Sequence, residues 1–201
     1  MKKPSKALPT RLLKLLRAGD IIACSGSCIQ SDIINLFTCG VPRRSLSHLM
    51  ILAEDANDLL LFESTTQCDM PCAIRGLRLS GTQAHYIGPR LQGYRGKVWH
   101  YPLATPLRTF ERRHLSRFLK SELGRPYDAE GAIEAGGKLW NAICRRLHPE
   151  SLSALFCSEW VAAALKSIER FDTPSASAWS PNGLIREANR RGILAKPRRL
   201  K

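Results

Sequence analysis

The apolar positions of this chain change period partway along. Up to about Leu103 they come as short runs bounded by turn residues, and beyond it they recur every three or four residues. Short runs with turn signals at their ends predict strands, and the longer period predicts amphipathic helices. Ile21-Ile22-Ala23-Cys24 running into Ser25-Gly26 reads as a buried strand entering a turn. Leu46 to Leu52 and Asp58 to Ser64 are two apolar runs joined by the polar stretch Glu54 to Asn57, a hairpin signature. Lys97 to Leu103 is a further strand, stopped ahead of Pro106. Between these, Thr65 to Arg95 is rich in glycine and predicts loops with at most two short strand-like pieces, one around His85-Tyr86-Ile87.

Helical spacing appears first at Leu12, Leu13, Leu15 and Leu16, a short amphipathic stretch expected to pack on the domain, and Ser31 to Phe37 suggests a second short helix. Phe110 to Leu123 puts Leu115, Phe118, Leu119 and Leu123 on one face. Gly124-Arg125-Pro126-Tyr127-Asp128 breaks that helix, and another is predicted from Ala129 to Leu147, loosened by Gly136-Gly137. A third carries Cys157, and Asn182 is placed to cap a last one ending at Arg190. Strands first and helices after, over 201 residues without an internal repeat, predict one α+β domain spanning 1–201. Its antiparallel sheet, from about residue 20 to 103, would carry the Cys157 helix packed on it.

Net charge changes this ordinary picture. Thirty-one basic against 17 acidic residues leave +14, an excess that attracts polyanions such as nucleic acid or an anionic surface. Much of it lies at the two ends, in Lys2, Lys3 and Lys6 and in Arg190 to Lys201, which read as solvated tails offering polyanion contact. Lys14 and Arg17 interrupt the N-terminal leucines, so no secretory signal or membrane-spanning segment is evident and a cytoplasmic location is expected. Seven cysteines without an export signal predict reduced thiols. The spacing of Cys24 and Cys28, and of Cys68 and Cys72, departs from that of zinc ribbons, and no metal or cofactor is expected from it.

Three residues carry candidate chemistry. Ser151 and Ser153 can cap a helix start, which would put Cys157 in or near a first turn where unpaired N–H groups favour a thiolate. His48 and Glu63 are single ionisable residues within apolar strands. Their position numbers add to 111, so a hairpin turning between Asp55 and Ala56 would face them directly, with Met50 opposite Leu61 and Leu52 opposite Leu59. A thiol, an imidazole and a carboxylate are the parts of a cysteine hydrolase: nucleophile, base and orienting group.

The order His48, Glu63, Cys157 reverses that of papain-like chains. With Gly19-Asp20-Ile21-Ile22, Ser47-His48-Leu49-Met50-Ile51, Phe62-Glu63-Ser64, Gly124 to Asp128, Phe156-Cys157-Ser158-Glu159-Trp160-Val161 and Ser180-Pro181-Asn182, it resembles the circularly permuted papain-like cysteine hydrolases, the YiiX-like branch related to NlpC-type peptidases. The resemblance spans most of residues 19 to 185. It implies a permuted papain-like fold, with Cys157 as nucleophile, His48 as general base and then acid, and Glu63 orienting His48. The Cys157 backbone N–H would help hold the oxyanion, and Tyr127 and Ser158 would lie near the cleft. The expected reaction is cleavage of an amide in a small peptide or related substrate through a thioester. Acyl transfer or ester cleavage on a lipid is a second enzymatic expectation, and a non-catalytic basic protein binding nucleic acid or another polyanion is a third.

Overall fold

The computed structural model describes residues 13–26, 46–65, 68–94, 96–125, 149–174 and 179–201. Six antiparallel strands form one sheet: β1 (Ile21–Gly26), β2 (His48–Asp55), β3 (Asp58–Thr65), β4 (Gly81–Tyr86), β5 (Gly96–Tyr101) and β6 (Arg198–Arg199), in the order β4-β3-β2-β1-β5-β6. The described helices are α1 (Ile87–Gly93), α2 (Thr109–Ser121), α3 (Pro149–Ser167) and α4 (Pro181–Arg190). The architecture is α+β with an antiparallel sheet, as the change of period predicts. The helices predicted at Ser31 to Phe37 and Ala129 to Leu147, and Tyr127, lie outside the described residues.

Alternation along the central strands explains why both faces of the sheet are covered. Leu49, Ile51 and Ala53 of β2 point into a core shared with Leu115 and Leu119 of α2, Val161 and Leu165 of α3, and Leu184 of α4. Met50 and Leu52 point the other way and join Ile22, Cys24, Leu61, Leu91 and Leu200 in a second cluster. Central strands buried on both faces lose the polar positions of a one-sided sheet, which is why β2 and β3 read as continuous apolar runs. Each fully buried aliphatic side chain contributes about 1.5–3 kcal/mol of transfer free energy.

The chain enters β1 through Gly19, whose φ of +88° favours glycine and where a Cβ would lie 2.5 Å from a Leu103 methyl carbon. Asp20 then fixes the entry, its carboxylate accepting from the Arg17 and Leu103 N–H groups and pairing with buried His100 at 2.7 Å. Upstream, Leu13 is helical and leads into a turn closed by the Leu16 N–H on the Leu13 carbonyl, and buried Leu16 joins the second cluster.

Four expectations are corrected by the fold. The β2–β3 hairpin pairs Ile51 with Phe62 and Asp55 with Asp58, a sum of 113 rather than 111, so its loop is Ala56-Asn57 and Leu52 faces Leu61. Ala56 tolerates a left-handed φ of 51°, which lets a two-residue turn replace the expected four-residue loop. The region after Thr65 carries the short strand expected around His85 as edge strand β4, but also helix α1, hidden in sequence by Gly88, Pro89 and Gly93. Ser180, not Asn182, caps α4 by accepting the Gly183 N–H at 3.2 Å. Lastly, the stretch after Arg191 is built in: β6 pairs with β5, and Leu194 and Leu200 are buried, while Arg198 and Arg199 remain exposed.

Candidate functional site

His48 opens β2, and its ring stands between a carboxylate and a thiol. Nε2 lies 2.8 Å from Glu63 Oε2, and the ring also hydrogen-bonds Cys157. With Nε2 on the carboxylate, Nδ1 is the nitrogen left for the sulfur. The backbone N–H of Leu49, the next residue, donates to Cys157 Sγ at 3.3 Å. Both contacts come from the first two residues of one strand, so the sulfur is registered against the strand end. Asn182 holds the lead-in to that strand, its side-chain oxygen accepting the Leu46 N–H at 3.1 Å and its amide donating weakly to the Leu46 carbonyl at 3.4 Å.

The two-residue change in hairpin register keeps His48 and Glu63 together. Side chains alternate along a strand, so a shift of two preserves the face, whereas a shift of one would have separated them. Glu63 becomes a diagonal neighbour of His48 instead of its direct partner, and the longer reach is spanned by its two methylenes. Met50, Leu52 and Leu61 form the apolar floor beneath the pair.

Cys157 does not stand at a helix start. α3 begins at Pro149, which makes Cys157 its ninth residue, more than two turns in. There the dipole's end effect has faded, and the Cys157 N–H belongs to the helical i→i−4 series, so it is not the expected oxyanion donor. Polar contacts from β2 take the place of the helix terminus. Ser158 is buried and donates to the Trp179 carbonyl at 2.5 Å, tying α3 to the segment before α4.

Sequence reasoning missed Arg90. From α1 it grips Glu63 with two bonds, Nε to Oε1 at 2.5 Å and Nη2 to Oε2 at 2.8 Å. Its signal, one arginine between Ile87 and Leu91 at helical spacing, was masked by the flanking glycines and proline. α1 is itself held at its C-terminal end by Lys201, whose Nζ donates to the carbonyls of Leu91, Gln92 and Tyr94 at 3.4, 3.0 and 2.7 Å. A cation on the last carbonyls of a helix is favourable, so the basic end of the chain, read as a solvated tail, reaches the site through α1 and Arg90.

Charge follows this geometry. Burial opposes the charged form of Glu63, but bonds from Arg90 and His48 prevail and bring its pKa down to about 2. Burial likewise opposes protonated His48, yet the charge and hydrogen bond of Cys157, with those of Glu63, raise it to about 10. Burial alone pushes Glu159, two residues beyond Cys157, up to about 7. The site therefore favours a carboxylate, an imidazolium and a cationic Arg90 at neutral pH.

A second thiol–imidazole contact lies alongside. Cys68 Sγ sits 3.4 Å from His85 Nε2, and the same nitrogen is 3.5 Å from Glu63 Oε1. Pairing of Glu63 with Gln83 and of Leu61 with His85 across β3 and β4 places these side chains on one face. Cys68, His85 and Glu63 offer sulfur, nitrogen and oxygen atoms all within 4.8 Å of one another.

The chain matches no family model and no curated protein.

Proposed function

We propose that the protein is a cysteine hydrolase, with Cys157 as nucleophile, His48 as acid–base group, Glu63 orienting His48 and Arg90 fixing Glu63. The observation that carries this reading is the single imidazole held between the Cys157 thiol and the Glu63 carboxylate, with residues supplied by three separate elements. Sulfur attacks the carbonyl carbon of an amide, and the proton on His48 passes to the departing amine as the carbon–nitrogen bond breaks. The resulting thioester is cleaved by water, which gives its proton to His48, and the thiolate leaves with the carboxylic acid product. Glu63 stays ionised throughout, holding the ring by Nε2 so that Nδ1 faces sulfur.

The sheet with a helix-borne cysteine behind two ionisable strand residues is also compatible with the permuted papain-like arrangement that the sequence words resemble. Amide cleavage in a small peptide is the favoured reaction, and ester cleavage or acyl transfer would use the same three residues.

Incubation with activated acyl esters and short peptide amides, followed by acid quench and peptide mapping, tests the proposal. The expected product is an acyl adduct on Cys157, absent from Cys157→Ala. Acylation of half-exposed Cys68 alone, with turnover unchanged in Cys157→Ala, would overturn it.

A further inference from the structure

The cluster beside Glu63 has the makings of a site of its own. Gln83 turns its amide nitrogen toward the carbonyls of Thr65, Leu79 and Gly81, at 3.0, 3.3 and 3.4 Å. That orientation leaves its side-chain oxygen aimed at His85 Nε2, 3.0 Å away. The Pro71 carbonyl also hydrogen-bonds the His85 ring, whose other nitrogen, Nδ1, is buried. A proton on that nitrogen leaves the Nε2 lone pair facing Gln83 Oε1, Glu63 Oε1 and Cys68 Sγ, all electron-pair donors.

We propose that Cys68, His85 and Glu63, with Gln83 as an adjacent oxygen donor, form a site for a thiophilic divalent cation of the zinc type, and that its occupation regulates the neighbouring Cys157 centre. Sulfur, imidazole nitrogen and carboxylate oxygen together suit zinc or cobalt better than magnesium or calcium. The spacings agree with that choice. Ligands about 2.0–2.3 Å from a tetrahedral zinc stand roughly 3.3–3.7 Å apart, against 3.4 Å from sulfur to Nε2 and 3.5 Å from Nε2 to Oε1. Cys68 is half-exposed while His85 and Glu63 are buried, so the thiol supplies an entry path from solvent. Binding replaces the thiol proton, which leaves to solvent, and forms the metal–thiolate bond.

The consequence for catalysis rests on the proposed function. Arg90 Nε occupies Oε1 at 2.5 Å, so the cation must displace it, which removes the bidentate grip that fixes the carboxylate against His48. Occupation should therefore slow turnover at Cys157. Zinc-finger spacing could not reveal such a site, because its ligands come from two strands and the loop after β3.

Cobalt(II) titration of the reduced, full-length chain gives the test. The expected result is a thiolate-to-cobalt charge-transfer band with one-to-one stoichiometry, retained in Cys157→Ala. Cys68→Ser should abolish it, and His85→Ala should weaken binding by at least the roughly 10–100-fold that follows loss of an outer-shell partner. Circular dichroism checks that both variants fold. No band, or a band that survives Cys68→Ser, would overturn the site. Zinc at saturating concentration should then suppress acylation of Cys157 in the native chain and not in Cys68→Ser. A retained band without suppression would leave the metal site standing and overturn its regulatory role. No Cys157 acylation even in metal-free protein would instead count against the hydrolase reading.

Discussion

Two of the buried histidine–carboxylate pairs in the described sheet stand one toward each end of β1, and they have nearly the same geometry. His48 meets Glu63 at 2.8 Å beside Cys24, and His100 meets Asp20 at 2.7 Å beside Ile22. What differs is the company each keeps. Asp20 spends its oxygens on two backbone N–H groups as well as on His100, so that pair staples the entry of β1 to β5. Among the described residues, Glu63 takes no such backbone bond. It receives a bidentate arginine, and its histidine has a sulfur on the far side. A buried imidazole on a carboxylate is thus not itself evidence of chemistry; the third atom separates a pair that anchors backbone from one that meets a thiol.

Isosteric removal of each charge should separate the two roles most clearly. Glu63→Gln is expected to lower turnover by about 10³–10⁴, the scale seen when a triad loses its orienting carboxylate. Asp20→Asn should leave turnover within about threefold while costing roughly 1–3 kcal/mol of stability, because a buried bonded charge is lost at a strand entry. Steady-state kinetics and urea unfolding on both variants measure this, and equal losses of turnover would erase the distinction.

Acidity and alkalinity should act on the His48 end with defined signs. Glu63 has a folded pKa near 2 against an ordinary 4.5, so its contribution is complete above pH 4.5 and is lost as pH falls toward 2. His48, raised from 6.5 to about 10, contributes fully below pH 6.5 and loses that contribution as pH rises through 10. Glu159 works the other way. Its pKa is raised from 4.5 to about 7, so ionising it destabilises the fold progressively above pH 4.5. Glu159→Gln should therefore stabilise the protein by about 2 kcal/mol at mildly alkaline pH, after allowance for partial solvent screening, and by little at pH 4.5. Urea midpoints across the pH range would show it.

A smaller effect should come from the far end of the support chain. Lys201→Met removes the cation from the last carbonyls of α1, loosening the helix that aims Arg90. Turnover should fall a few-fold and stability by about 0.3–1 kcal/mol, whereas Arg199→Met, at an exposed position of β6, should change neither. Kinetics on the two variants would sharpen the line between structural and solvated charge.

The residues of the proposed triad were legible in sequence because each is unusual locally: one histidine and one carboxylate in apolar strands, and one cysteine ahead of an alanine-rich helical run. The hairpin centre was misread because Glu54 to Asn57 looks uniformly polar, while backbone twist closes the turn over Ala56 and Asn57 alone. The place of Cys157 within its helix was misread because Ser151 and Ser153 can cap but also tolerate a helix interior. The relation of Arg90, Cys68, His85 and Lys201 to Glu63 was not legible, since it arises only when β4 and β6 occupy the two sheet edges.

The coupling of His48 to Cys157 can be measured without a substrate. Nitrogen-15 histidine spectra across pH, in the native chain and in Cys157→Ala, report the charge and tautomer of each ring. His48 should stay protonated well above neutrality, toward the value near 10, and removing the sulfur should lower its pKa. A His48 that titrates near 6.5 in the native chain, or whose titration ignores loss of Cys157, would contradict it.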